Sequence, residues 1–155
     1  RIKSGDLDID WIRFGEGASL IPGIIQAEDY DDGGYSFKQG EFGNFKSYRK
    51  DKGVAISASD GVVHISNTSV GDWLQYTFTT QGGAFEIRVR ASAERDGIFS
   101  LSFDDGKPLS NVAVSTGDWT TYQEFIGAKV NLTPGKHTMK IHSVNPLNLD
   151  SFEFR

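Results

Sequence analysis

The sequence predicts an all-β protein, an antiparallel β-sandwich of the jelly-roll type. Three observations predict it. Apolar and polar residues alternate with a period of two along almost every apolar stretch, as in half-buried strands. Turn signals rich in Gly and Asp separate these stretches, often about 10–15 residues apart. No stretch carries a convincing 3.6-residue period. Taken in order, Trp73 to Thr79 reads W-L-Q-Y-T-F-T and stops before Gln81-Gly82-Gly83. Ala84 to Val89 reads A-F-E-I-R-V, with Asp96-Gly97 as the following turn. Ile98 to Phe103 reads I-F-S-L-S-F and runs into Asp104-Asp105-Gly106. Thr116-Gly117-Asp118 marks another turn, and Pro134-Gly135 precedes the strand Thr138 to His142, T-M-K-I-H. The region from Asp31 to Lys52 reads as long loops.

Composition narrows the function. The 155 residues carry 16 Lys and Arg against 21 Asp and Glu, a formal charge of -5, so nucleic acid is not the expected partner. The absence of cysteine excludes disulfides, Cys-ligated zinc and thiol catalysis. No apolar run approaches the roughly 18 residues that span a bilayer. A glycosidase needs two carboxylates facing each other across a cleft. Here pairs such as Asp104-Asp105 sit in turns and are explained by turn chemistry, and no hydrolase or phosphate-loop motif is present.

A weak internal repeat divides the chain. R-I-K-S followed by L-D-I-D-W-I-R-F near the start matches K-I-H-S followed by L-N-L-D-S-F-E-F near the end. Leu7, Asp10 and Phe14 fall on Leu147, Asp150 and Phe154 at a common offset of about 140 residues. That offset is the length of a whole module rather than of a solenoid unit. Residues 1–14 are therefore expected to be the last strand of a preceding similar module, residues 15–20 a linker, and residues 21–155 the β-sandwich module.

From Ile21 onward the motifs stand in a familiar order. They are I-I-Q-A-E-D-Y-D at Ile24 to Asp31, G-N-F-K-S-Y-R-K-D-K-G-V-A-I at Gly43 to Ile56 and V-V-H-I-S-N-T-S-V-G-D-W-L-Q-Y at Val62 to Tyr76. L-S-F-D-D-G-K-P-L, S-T-G-D-W-T-T-Y, L-T-P-G-K-H-T-M-K-I and L-N-L-D-S-F-E-F follow. Over about 135 residues the chain resembles a family 6 carbohydrate-binding module. The resemblance implies a secreted bacterial protein without catalytic residues. Such a module is monomeric and holds a parent glycoside hydrolase on its polysaccharide, often beside a neighbouring similar module. The G-N-x-x-x-Y-R stretch resembles modules of laminarinases and agarases, so β-1,3-glucan or agarose is favoured and xylan is possible.

The resemblance also nominates residues. A pyranose packs its C–H face on an aromatic ring and needs planar polar groups for its hydroxyls. Trp119, after the turn S-T-G-D, stands where the family has its sugar-stacking Trp. His64 stands where the family has the facing aromatic ring, and both a ligand contact and a buried structural histidine fit it. A loop aromatic, Tyr35, Phe37, Phe42 or Phe45, is the other source of a second ring. The segment Ser66 to Val70 is two residues longer than the family pattern. Asn148 matches an Asn that bonds sugar hydroxyls, with Asn145 and Glu41 as further contacts. Trp73 reads as a core tryptophan.

A structural calcium ion is implied as well. Gln26 and Glu28 share one face of the opening strand, because strand side chains alternate. Asp150 lies on the closing strand, and the family adds a backbone carbonyl from the Y-R segment, here Arg49 or Lys50. Oxygen ligands from distant segments suit calcium. Gln26 replaces the commoner Glu and removes one negative charge. The competing reading is a structural sandwich that packs against its enzyme without binding sugar; a Trp119 buried in the core would favour it, and an exposed Trp119 favours binding.

Overall fold

The structure, a computed structural model, describes residues 19–155. The strand expected over residues 1–14 and most of the expected linker lie outside the described residues. Ser19 and Leu20, assigned to that linker, open the first described strand. In chain order the strands are β1 (Ser19–Ile21), β2 (Gly23–Gln26), β3 (Tyr35–Ser36), β4 (Ile56–Ser59), β5 (Val62–Ile65) and β6 (Trp73–Thr80). They continue with β7 (Gly83–Ser92), β8 (Gly97–Phe103), β9 (Val112–Val114), β10 (Gln123–Leu132), β11 (Gly135–Asn145) and β12 (Asn148–Phe154). A single 3₁₀ turn, Gly40–Phe42, interrupts the long loop among the described residues.

The strands form two sheets. One runs β1-β6-β11-β8-β9, with β3 also on β6; the other runs β10-β7-β12-β5-β4, with β2 also on β12. All pairings are antiparallel except β1 on β6. The alternation in the sequence decides which face each sheet buries. Leu74, Tyr76 and Phe78 of β6 point inward, as do Ile87, Val89 and Ala91 of β7 and Phe152 and Phe154 of β12. Across the sandwich, Tyr76 meets Phe152 at 4.8 Å between centroids and Phe78 meets Phe154 at 4.9 Å. Each such pair adds about 0.5–1.5 kcal/mol beyond its buried area.

That same alternation corrects one expectation. Trp73 is in phase with Gln75 and Thr77, so it lies on the outer face of its sheet and not in the core. It is half-buried there, with the Lys140 ammonium 4.4 Å from its ring centroid.

Two irregularities shape the second sheet. β10 shifts register against β7 between Ile126 and Ala128, and Gly127 fills the gap because a Cβ there would lie 2.7 Å from Leu101. β12 shifts register between Leu149 and Ser151, at its first turn of pleat. Asn148 pairs with Ser92 at the end of β7, Gln123 at the start of β10 pairs with Ala91, and Leu149 pairs with Ile65 at the end of β5. The β5–β6, β9–β10 and β11–β12 connections therefore gather at one end of the sandwich.

Candidate functional site

Those three connections, with the loop before the 3₁₀ turn, enclose a cleft of about 400 Å³. Its floor is Pro146, Leu147 and Asn148, at the start of β12. On the β10 side stands Trp119, 42% exposed. On the β5 side stand Ser66, Asn67 and Thr68, joined by Gln39 from the preceding loop. No lining residue is charged. The size falls at the small end of ligand clefts.

Trp119 is exposed but its backbone is fixed. Its carbonyl accepts the buried Ser92 hydroxyl at 2.7 Å and the Asn148 side-chain amide at 2.9 Å. The turn before it is stapled by Asp118, whose Oδ1 accepts the Thr120 and Thr121 N–H groups at 2.8 and 2.6 Å. These hydrogen bonds hold the Asp118 carboxyl below its ordinary range. Backbone bonding leaves the indole free to present a face.

The opposite wall is also built. The Thr68 hydroxyl donates to the Leu147 carbonyl and accepts from the Leu147 N–H, each at 2.9 Å, and accepts Ser143 Oγ at 3.1 Å. Lys38 joins the two loops on this side. Its N–H meets Asp72 Oδ1 at 3.2 Å and its ammonium donates to the Val70 carbonyl at 2.6 Å. Asp72 itself is buried and accepts the Ser69 N–H at 2.8 Å.

The profile of the "Carbohydrate binding module (family 6)" matches residues 46–155. The chain belongs to carbohydrate-binding module family 6. The module shares its fold with solved family 6 structures. The C-terminal module of a marine laminarinase from Zobellia galactanivorans is 20% identical, with a TM-score of 0.63, covering 84% of this chain and 96% of that one. A Clostridium stercorarium module in complex with cellobiose is 21% identical, with a TM-score of 0.65 and coverage of 89% and 96%. A β-1,3-glucan-binding module from Bacillus halodurans is 23% identical, with a TM-score of 0.64 and coverage of 89% and 98%. Among curated proteins none matches the chain. The family is one of non-catalytic, carbohydrate-binding modules.

Of the residues nominated for sugar contact, the cleft of this module brings together Trp119 and Asn148. Asn148 is buried, and its Nδ2 is committed to the Trp119 carbonyl. His64 is not in the cleft lining. Val63 and Ile65 on either side of it pack into the core, so alternation turns His64 to the outer face of β5. There it is 5% exposed, 5.8 Å from the Tyr122 ring, with Nδ1 3.3 Å from the Val62 carbonyl. Burial lowers its pKa. Tyr35 is half-buried and packs edge-on against Tyr30 at 5.5 Å. Asn145 donates to the Asp96 carbonyl at 3.1 Å, off the cleft. Glu41 lies in the 3₁₀ turn, beside a separate hollow of about 200 Å³ bounded by Phe45, Lys52 and Val54.

Four polar lining residues went unnominated, Gln39, Ser66, Asn67 and Thr68, along with the floor residues Pro146 and Leu147. The one signal for Ser66, Asn67 and Thr68 is the two-residue excess in Ser66 to Val70, which here forms the cleft wall.

The nominated metal ligands partly converge. Glu28 is 5% exposed and its Oε1 is buried with no hydrogen-bond partner. Burial pushes its pKa up to about 8, and the nearby Asp29 and Asp150 add to the effect. Asp150 is also raised by burial, while its Oδ2 pairs with Arg90 at 3.1 Å. The Asp150 carbonyl accepts the Ala27 N–H at 2.9 Å, which fixes the two segments side by side. Gln26 is exposed. Arg49 reaches this region through its side chain, donating to the Tyr30 carbonyl at 2.6 Å and to the Glu28 carbonyl at 3.3 Å. Among the described residues no three His, Cys, Asp or Glu side chains converge on one point.

Proposed function

We propose that the module binds a neutral β-linked polysaccharide in the loop-end cleft and thereby holds an attached glycoside hydrolase on its substrate. The observation that carries this reading is Trp119. Its ring is exposed in an uncharged cleft while its carbonyl is locked by Ser92 and Asn148. A platform fixed before binding loses little freedom on binding. An exposed ring at this position favours binding over a purely structural role. β-1,3-glucan or agarose is the favoured ligand and xylan the next. Support comes from the G-N-x-x-x-Y-R stretch and from the similar modules described as binding β-1,3-glucan or belonging to a laminarinase. The protein in this reading is secreted by a bacterium and acts as a monomer. Affinity gel electrophoresis over laminarin, agarose, xylan and mixed-linkage glucan tests the reading. Retarded migration in at least one gel is expected, and unretarded migration in all of them would sink it.

The same reading includes a structural calcium ion held by Glu28 and Asp150, with Gln26 and a carbonyl at Arg49 completing an oxygen set. The unpartnered, buried Oε1 of Glu28 supports it, because a buried carboxylate oxygen without a partner is costly and a cation would satisfy it. The pairing of Asp150 with Arg90 and the neutral Gln26 both reduce the negative charge offered, which points to modest affinity.

A further inference from the structure

The cleft has one aromatic side and one amide side. Topology sets the two apart. β10 and β5 flank β12 from opposite directions in the sheet, β10 across β7, so Trp119 and Asn67 rise on either side of the Pro146–Asn148 floor. Hydrogen bonds tie each to that floor, Trp119 through Asn148 and the Asn67 loop through Thr68 and Leu147.

Asn67 is held for a purpose other than packing. It is exposed and sits at φ 57°, a left-handed conformation that Asn tolerates better than most residues. Its Oδ1 accepts the Ser66 hydroxyl at 2.9 Å, and Ser66 Oγ in turn lies 2.7 Å from Ser57 Oγ. The Ser57 hydroxyl also accepts the Asn44 N–H at 3.2 Å. This buried relay orients the amide and leaves Nδ2 without a protein acceptor among the described residues. Gln39 is its complement. Its Nε2 donates to Ser69 Oγ at 3.3 Å, which leaves Oε1 free on the same wall. The wall thus offers an amide donor and an amide acceptor, the pair needed by adjacent hydroxyls that both donate and accept.

Resting on the carbohydrate-binding reading, we propose that Asn67 and Gln39 are the specificity-determining residues of the cleft. They read vicinal hydroxyls of a neutral sugar whose C–H face stacks on Trp119. The stack recognises an apolar face that many pyranoses share, whereas the amides recognise where hydroxyls stand. A site built to hydrogen-bond a hydroxyl discriminates against ligands that lack it, since its polar groups are then left unpaired. An ionised uronate would enter a cleft with no cationic partner and lose hydration.

The test uses the whole chain and titration calorimetry with laminarin, agarose oligosaccharides, xylan and polygalacturonate. Asn67→Gly removes the amide while keeping a residue at ease at positive φ, and Gln39→Ala removes its partner. Each variant should lose about twofold to tenfold in affinity for the best glycan, the worth of a neutral hydrogen bond. Both should narrow the ratio between the best and the poorest neutral ligand, with thermal midpoints unchanged. Trp119→Ala should instead weaken all ligands by a similar factor. Ser66→Ala should reproduce part of the Asn67→Gly effect by freeing the amide. If Trp119→Ala abolishes binding while Asn67→Gly and Gln39→Ala leave affinity and ligand ranking unchanged, the amide wall is refuted and the cleft stands. If none of the three alters binding, the cleft itself is refuted. Polygalacturonate binding as tight as the best neutral glycan would overturn the neutral class.

Discussion

Replacing Trp119 with alanine should cut polysaccharide affinity without unfolding the module. The magnitude follows from exposure. A Trp buries about 250 Å² when fully covered. The 42% of Trp119 that remains exposed therefore corresponds to about 100 Å² available to a ligand. At about 25 cal/mol per Å², covering all of it is worth about 2.5 kcal/mol, or about 60-fold in affinity. A sugar that covers one face of the ring takes about half of that area, which gives about eightfold. The expected loss thus lies between about eightfold and 60-fold. Stability should hardly move, because the bonds from Ser92 and Asn148 go to the backbone carbonyl and survive the substitution. Calorimetric titration with laminarin, or with whichever glycan the gels select, measures the affinity, and a thermal melt checks the fold. An unchanged affinity with an unchanged melt would refute the platform, and with it the step from exposure to binding.

Other outcomes are expected from other parts of the molecule. If calcium binds beside Glu28, calcium at about 100 times its dissociation constant should stabilise the fold by about 2.7 kcal/mol, raising the melting temperature by about 10 °C relative to chelator. Glu28→Gln should remove most of that difference; superimposable melts of the native chain in calcium and chelator would discount the ion. Thr68→Val leaves the buried Leu147 N–H and carbonyl without their shared partner, at a cost of about 1–3 kcal/mol, read as a lower urea midpoint at constant m-value. An unshifted midpoint would show that the hydroxyl is not the anchor. His137 donates through Nδ1 to Asp104 at 2.7 Å and through Nε2 to the Thr133 carbonyl at 2.8 Å, so its protonated form is favoured, chiefly by Asp104. Its folded pKa is raised, so its contribution is complete below the ordinary 6.5 and disappears as pH rises through the raised value. The melting temperature should therefore fall across that window, and fall less in Asp104→Asn. Parallel pH profiles would contradict this.

The fold was legible because strand alternation carries it directly. Leu74, Tyr76 and Phe78 already share a phase in W-L-Q-Y-T-F-T, and all three face the core. The misjudged Trp73 belongs to the opposite phase, so phase outweighs the hydrophobicity of a single residue. The position of His64 has the same cause, since Val63 and Ile65 claim the core side. Trp119 was legible because a tight turn precedes it. The amide wall was not. Gln39 and Asn67 are far apart in sequence, and they meet on one wall because Lys38 and Asp72 tie their loops together. No local pattern announces a contact made by a buried carboxylate between two loops. Net charge says nothing about where charges sit: the cleft lining is uncharged, and charged residues lie elsewhere, as in the Glu86–Arg88 pair on β7.

The register of β12 has a consequence for how the module is carried. Gly23 pairs with Phe154 at one end of this strand, while Asn148 lines the cleft at the other. At about 3.3 Å per residue the two ends are about 20 Å apart. A polypeptide tethered at the Phe154 end of β12 therefore leaves the sandwich at the pole away from the cleft. A leash attached there does not compete with the glycan for space. Several copies strung on one chain could each keep a mouth turned to the same polymer, so weak individual grips would add as avidity rather than obstruct one another.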